Sequence, residues 1–229
     1  MAALTTAPTF AIVTPCLNAY GFIRETIESV IYQRGEFHID YLVVDGGSQD
    51  GTVRLLDEVR DRVQSARFEA CNLGVRFRFM SEPDRGMYDA LAKGMRNVDG
   101  DYFAYINADD IYLPNAFESV RSVFAEHAGV YWITGTSTWL NENGSIVRSL
   151  LPVPYRRSYI QRGIYGTLLP HVQQESTFWR SELNAELDAS ELAAWALEAG
   201  LRQALYRRLR PAVAGHGPGL FVATMIRDD

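Results

Sequence analysis

Through residue 106 the chain alternates between short, continuous apolar runs and stretches where hydrophobic residues recur every three or four positions. These are the patterns of buried strands and amphipathic helices. Residues 9–14 form the first run, stopped at Pro15, and residues 22–32 follow with Ile23, Ile27, Val30 and Ile31 on one helical stripe. Residues 39–44 predict a second strand ending at Asp45-Gly46-Gly47-Ser48, and 52–63 a second helix on Val53, Leu56 and Val59. A third strand at 77–80, a third helix at 87–95 and a fourth strand at 101–106 continue the rhythm. Strict alternation of strand and helix predicts parallel pairing through right-handed crossovers, hence an α/β fold with a mostly parallel, Rossmann-like central sheet flanked by helices.

Beyond residue 115 the pattern loosens. Residues 131–136 read as a strand, and 137–140 with 145–151 as a hairpin turning at Asn141-Glu142-Asn143-Gly144. Helical spacing returns over 183–209, where Leu197, Leu201, Leu205 and Leu209 lie four apart and Arg202, Arg207, Arg208 and Arg210 crowd the end. That stretch is either a core-packing helix whose cations suit its C-terminus, or a basic amphipathic surface that rests on anionic lipid.

With 229 residues, 47% of them hydrophobic, the chain can bury the core of one domain, taken as 1–229 with halves at 9–115 and 116–229. A net charge of −6 argues against nucleic-acid binding and requires any polyanion to be met by a local cluster of donors. Cys16 and Cys71 match no metal-ligand spacing and read as two free thiols of a reduced protein. The N-terminus carries neither a basic segment nor an apolar one, and no run of 18 apolar residues occurs, so a cytoplasmic protein is expected.

The chemistry-bearing residues gather where the predicted strands end. Thr14-Pro15, Asp45-Gly46-Gly47-Ser48, Ser81-Glu82-Pro83-Asp84-Arg85-Gly86 and Asn107-Ala108-Asp109-Asp110 all follow a strand. A parallel sheet brings all four to one edge, where open α/β sheets bind ligands. A carboxylate such as Asp45 suits the N–H of a flat base or a ribose hydroxyl, while Asp109 and Asp110 can hold a divalent ion against a diphosphate. A dinucleotide fits poorly, because no Gly-x-Gly-x-x-Gly follows the first strand. A nucleotidyltransferase fits poorly too, since Thr14-Pro15-Cys16-Leu17-Asn18 is neither Gly-rich nor basic.

Four motifs, in order over residues 9–115, resemble the family two glycosyltransferases of the GT-A fold. They are Thr14-Pro15-Cys16-Leu17-Asn18 with Ile27-Glu28-Ser29-Val30, Val43 through Thr52, Glu82-Pro83-Asp84-Arg85-Gly86-Met87-Tyr88-Asp89-Ala90, and Asn107-Ala108-Asp109-Asp110. The resemblance implies an inverting transferase that takes a sugar from a nucleotide-diphosphate sugar with a divalent cation, Mn or Mg. It implies that Asp45 meets the base or ribose and that Asp84 and Arg85 line the donor pocket. It further implies that Thr14, Pro15, Asn18, Gly46, Gly86, Asn107 and Ala108 complete the donor side, with Asp109 and Asp110 at the metal. Asn107 stands where many relatives carry the first acid of an Asp-x-Asp motif, which removes one charge but keeps an oxygen ligand.

The acceptor, a glycan or a lipid-linked sugar by the same resemblance, would meet the second half. The stretch from His171 to Arg180 resembles a segment beside the acceptor cleft in one branch of the family, and that branch supplies its base from an Ala-Gly-Asp-aromatic motif. Here Ala199-Gly200-Leu201 puts a leucine in place of the acid. Glu175, Asp188, Glu191 and Glu198 are therefore the open candidates for the base, with Glu175 preferred because it follows a polar run and precedes an apolar strand. A fold that binds nucleotide without catalysing transfer is the alternative this departure raises. A short acceptor half would also leave room for a second subunit to complete the cleft, and a lipid-linked acceptor would bring the protein to the inner face of the membrane.

Overall fold

Strand β1 (Thr9–Cys16) is buried at every residue after the first, as a continuous apolar run must be when a sheet is covered on both faces. A computed structural model describes residues 6–141, 143–150 and 174–184, and the backbone of 221–225. From β1 the chain runs through α1 (Ile23–Ile31), β2 (His38–Asp45), α2 (Thr52–Gln64), β3 (Gly74–Ser81), α3 (Met87–Met95) and β4 (Tyr102–Tyr105). It continues through β5 (Asp110–Tyr112), α4 (Ala116–Glu126), β6 (Trp132–Thr134), β7 (Thr136–Leu140), β8 (Ile146–Leu150), β9 (Thr177–Arg180) and β10 (Phe221–Met225).

The main sheet has the order β3-β2-β1-β4-β9-β6. Its first four strands are parallel, as the sequence predicts, and β9 runs antiparallel between β4 and β6. The register sets Cys16 beside Asp45 and Asp45 beside Ser81, so three site residues share one row across the strand ends.

Alternate residues of the strands feed two cores. Phe10, Ile12, Tyr41 and Val43 pack with Ile23, Ile27 and Val30 of α1, Leu56 and Val59 of α2, and Phe117 and Val120 of α4. Ala11, Val13, Leu42 and Val44 pack on the opposite face with Ala90 and Leu91 of α3 and with Trp132, Trp179 and Leu183. Helix α3 lies so close to the sheet that a Cβ at Gly94 would overlap the Val13 side chain. Phe178 of β9 joins Phe10, Phe117 and Tyr112 in an aromatic cluster with centroids 5.4–6.2 Å from its own, a geometry that fastens β9 into the sheet.

Three features differ from the sequence reading. Strand β3 starts at Gly74, because eight residues pair with β2, and Arg78 within it closes an ion pair of 2.8 Å with the buried Asp40. The single strand predicted at 131–136 divides at Gly135: β6 joins the main sheet, whereas β7 joins a second sheet of order β5-β10-β7-β8. The Gly135 N–H instead donates to the Ser176 carbonyl at 2.8 Å. Leu183, taken as the start of a long helix, closes the short 3-10 turn Ser181–Leu183. The remainder of that stretch, with Asp188, Glu191, Glu198 and the arginines near 202–210, lies outside the described residues, as does His171. No helix among the described residues is long and apolar enough to cross a membrane.

Candidate functional site

Parallel pairing delivers the four predicted turns to one sheet edge, and hydrogen bonds stitch the first two together. Asn18 adopts φ 51°, a left-handed conformation that Asn tolerates better than most residues. Its N–H donates to Ser48 Oγ at 2.6 Å, and its Oδ1 accepts the Gln49 N–H at 3.0 Å. Alongside, the Ala19 N–H donates to Thr52 Oγ1 and the Tyr20 N–H to Asp50 Oδ2, both at 3.0 Å.

Asp45 is the fully buried centre of this knot. Its carboxylate accepts the backbone N–H groups of Gly47 (3.1 Å) and Ser48 (2.9 Å), the Ser81 hydroxyl (2.6 Å) and a short bond from the Ser48 hydroxyl. Burial pushes the acid up, but the bonds from Ser48, Ser81 and Gly47 outweigh it and hold the carboxyl below the ordinary range. The Cys16 thiol points at Asp45 Oδ1 from 3.5 Å. Burial first, and then the Asp45 charge, push that thiol far up, so it stays neutral at physiological pH.

The third turn crowds against the second. A Cβ on Gly46 would meet the Asp84 carboxylate at 2.8 Å, so any larger residue would have to displace that side chain. Asp84 Oδ1 in turn accepts the Gly86 N–H at 2.8 Å, immediately before α3. Arg85, its side chain 83% exposed, pairs with Asp89 at 2.9 Å, and Lys93 pairs with Glu82 at 2.9 Å and Asp89 at 3.5 Å. Hydrogen bonds from the Arg85 side chain and backbone bring the Asp89 carboxyl down to about 2. Lys93 is thus part of an ion-pair cluster bordering the turn.

At the fourth turn Asp109 is exposed and Asp110 buried. Asn107 Nδ2 donates to Asp110 Oδ2 at 3.3 Å, and the Asp110 N–H closes the turn on the Asn107 carbonyl at 3.2 Å. Among the described residues Asn107 Oδ1 is a buried oxygen with no hydrogen-bond partner. One turn therefore carries an amide oxygen and two carboxylates, the oxygen-rich donor set that suits a hard divalent cation.

Glu175 sits in the 3-10 turn Gln174–Ser176 at the start of β9 and is only 5% exposed. Its Oε1 accepts the Ser137 hydroxyl of β7 at 3.4 Å. The buried Tyr112 hydroxyl is pushed well above its ordinary range, by burial first and then by coupling to neighbouring acidic groups. Thr14 turns its hydroxyl to Tyr41 at 2.9 Å rather than to the site edge. The sequence reading passed over Thr26 and Gln33 and quoted Ser29 only within a motif, with no role; all three bind the backbone after residue 107 from helix α1 and just beyond it. Their signal was three polar residues spaced three and four apart on an otherwise apolar face.

This mostly parallel sheet with helices on both faces and acidic turns at one edge has the architecture of the GT-A fold. The chain belongs to glycosyl transferase family 2, whose sequence profile matches residues 11–187. It is 27% identical over 175 residues to a PGL/p-HBAD biosynthesis glycosyltransferase of Mycobacterium bovis, a match covering 72% of this chain and 64% of that one. It is 32% identical over 107 residues to an uncharacterized glycosyltransferase of Mycobacterium tuberculosis, covering 47% and 36% respectively. The fold matches Staphylococcus aureus TarS residues 1–349, solved with UDP-GlcNAc, at a TM-score of 0.57 and 14% identity, covering 96% of this chain and 59% of that 1–349 chain. The chain spans just under two thirds of the length of the Mycobacterium bovis relative.

Proposed function

We propose that this chain transfers a sugar, with inversion at the anomeric carbon, from a nucleotide-diphosphate sugar to a glycan or lipid-linked acceptor, using Mn or Mg. The observation that carries the reading is the convergence of the Asp45, Asp84 and Asn107–Asp110 turns on one strand edge of a family 2 fold. The UDP-GlcNAc complex of TarS supports a nucleotide-sugar donor. The mycobacterial relative named for PGL/p-HBAD biosynthesis is the reason to include a lipid-linked acceptor, met at the inner face of the membrane.

In this reading Asp45 and its turn hold the base and ribose end, while Asp84 and Arg85 flank the donor. Asp109 and Asp110, with Asn107 Oδ1, would hold the cation. Once bound, that cation supplies neutralisation of the charge gathering on the departing diphosphate. The acceptor oxygen attacks the anomeric carbon, the carbon–oxygen bond to phosphate breaks with its electron pair leaving on the diphosphate, and the acceptor proton passes to Glu175. A carboxylate placed for that proton contributes ~100- to 10,000-fold. Glu175 is the described candidate for this role, at the same sheet end as Asp110.

Thermal shift against UDP-, GDP- and dTDP-sugars with Mn tests the donor. A ligand at 100 times its dissociation constant adds about 2.7 kcal/mol, worth several degrees for a domain this size. Asp109→Ala should abolish the Mn-dependent part of that rise, and Asp57→Ala on the outer surface of α2 should retain it. No shift with any of the three nucleotides refutes the donor reading.

A further inference from the structure

We infer that Thr26 is a positioning residue for the Asn107–Asp110 turn and, through that turn, for the donor diphosphate; the inference rests on the donor reading above. Helix α1 buries Ile23, Ile27, Val30 and Ile31, yet the fully buried Thr26 lies among them and the buried Gln33 just beyond them. A hydroxyl in such surroundings needs a partner. Thr26 Oγ1 donates to the Ala108 carbonyl at 2.7 Å. Ser29 Oγ donates to the Thr26 carbonyl at 2.7 Å and accepts the Tyr112 N–H at 3.1 Å. Gln33 Nε2 donates to the carbonyls of Ser29 (2.9 Å) and Leu113 (3.1 Å), and its Oε1 accepts the Phe117 N–H at 3.2 Å.

Thr26 and Ser29 lie on one face of α1 and Gln33 follows just past its end, so the three side chains form a polar rail. The rail meets the chain where the main-sheet ladder ends. The Ile106 N–H still bonds to the Val13 carbonyl at 3.1 Å, whereas β5 belongs to the second sheet. Ala108 stands between Asn107 and Asp109. Because a peptide unit is planar, fixing the Ala108 carbonyl also fixes the Asp109 N–H and the direction in which Asp109 leaves the backbone. Ser29 and Gln33 hold the far side of the segment; of these three residues, Thr26 is the one that grips the turn itself. A metal- and diphosphate-facing carboxylate held this way is preorganised rather than ordered at the moment of binding.

Thr26→Val keeps the shape and removes the donor, leaving the Ala108 carbonyl unsatisfied. In the ligand-free protein, hydrogen exchange over residues 106–113 should accelerate by about 5- to 30-fold, the factor of a lost buried hydrogen bond. Calorimetric affinity for UDP with MnCl2 should fall by a similar factor, and Thr26→Ser should restore both. Val30→Ala, which trims the same helix without touching the turn, should lower the melting temperature yet leave UDP–Mn affinity near wild type. The inference is overturned if Thr26→Val matches the wild type in both measurements, or if Val30→Ala reproduces its losses. Wild-type protein that binds UDP while Thr26→Val binds equally well defeats the inference alone. Wild-type protein that binds no UDP with or without Mn defeats the donor reading and the inferred role together, even where 106–113 loosens.

Discussion

Strands β1 and β8 are opposite extremes of one chain: seven of eight residues are buried in the first, and all five are exposed in the second. β1 is flanked on both edges by parallel partners and covered on both faces, so its end delivers Thr14–Asn18 to a fixed place. β8 is the edge of the smaller sheet, pairing only with β7 among the described strands, and it presents Ile146 and Val147 to solvent at 64% each. The sheet edge proposed to take the donor is therefore held by the central strands. The second sheet borders the site through β5 and through Ser137 of β7, which donates to Glu175, but its outer edge is exposed and paired on one side among the described strands. In the proposed reading, chemistry that must be held still would lie on the first, and contacts that suit a varied acceptor toward the second.

The sharpest way to break this contrast is to trim each strand. Ile12→Ala in β1 should cost about 2–5 kcal/mol by urea denaturation, as large-to-small core changes do, whereas Ile146→Ala should stay within about 0.5 kcal/mol. Comparable losses would mean that the edge strand is as structural as the central one.

Next in size is Glu175→Gln, which keeps the shape but removes the base. Transfer should fall by about 100-fold while the Mn-dependent thermal shift with donor persists. A wild-type rate would relieve Glu175 of the role. It would also move the search to carboxylates beyond the described residues, Glu198 first.

The smallest effect concerns the Asp45 knot. Asp45→Asn should cost about 1–3 kcal/mol at neutral pH, because several buried donors lose a charged acceptor. Asp45 is held below its unfolded value, so its stabilisation is complete above about pH 4, where the unfolded group ionises, and fades as pH falls through the lower folded value. The stability gap between wild type and variant should narrow below pH 4 in a melting-temperature series. A gap constant down to pH 2 would show that the carboxylate charge is not what ties the turns.

Much of the sheet and its four-turn edge was legible because its signals are local. A strand–helix period places four strand ends on one edge, and the turn residues after each are contiguous in sequence, as at Asp45–Ser48 and Asn107–Asp110. What escaped was set by distant partners. β5 is three residues long and takes its identity from β10, more than 100 residues later. β9 reads as an apolar strand, but nothing in residues 177–180 indicates that it enters the main sheet between β4 and β6. Gly135 looked like the interior of one strand because the apolar pattern on either side is uninterrupted, and only the Ser176 carbonyl reveals the break. Thr26 and Gln33 were hidden by the apolar stripe around them, since periodicity counts hydrophobic positions and ignores what a buried hydroxyl or amide must find.

The neutral thiol beneath Asp45 gives the protein an internal stopwatch. Cys71 is partly exposed, while Cys16 is buried and far from its thiolate form, so a thiol-directed reagent meets the two on different clocks. Alkylation of Cys71 runs at the pace of the reagent. Modification of Cys16 must await a spontaneous parting of Asp45 from its neighbours, so its rate counts how often the donor turn comes undone.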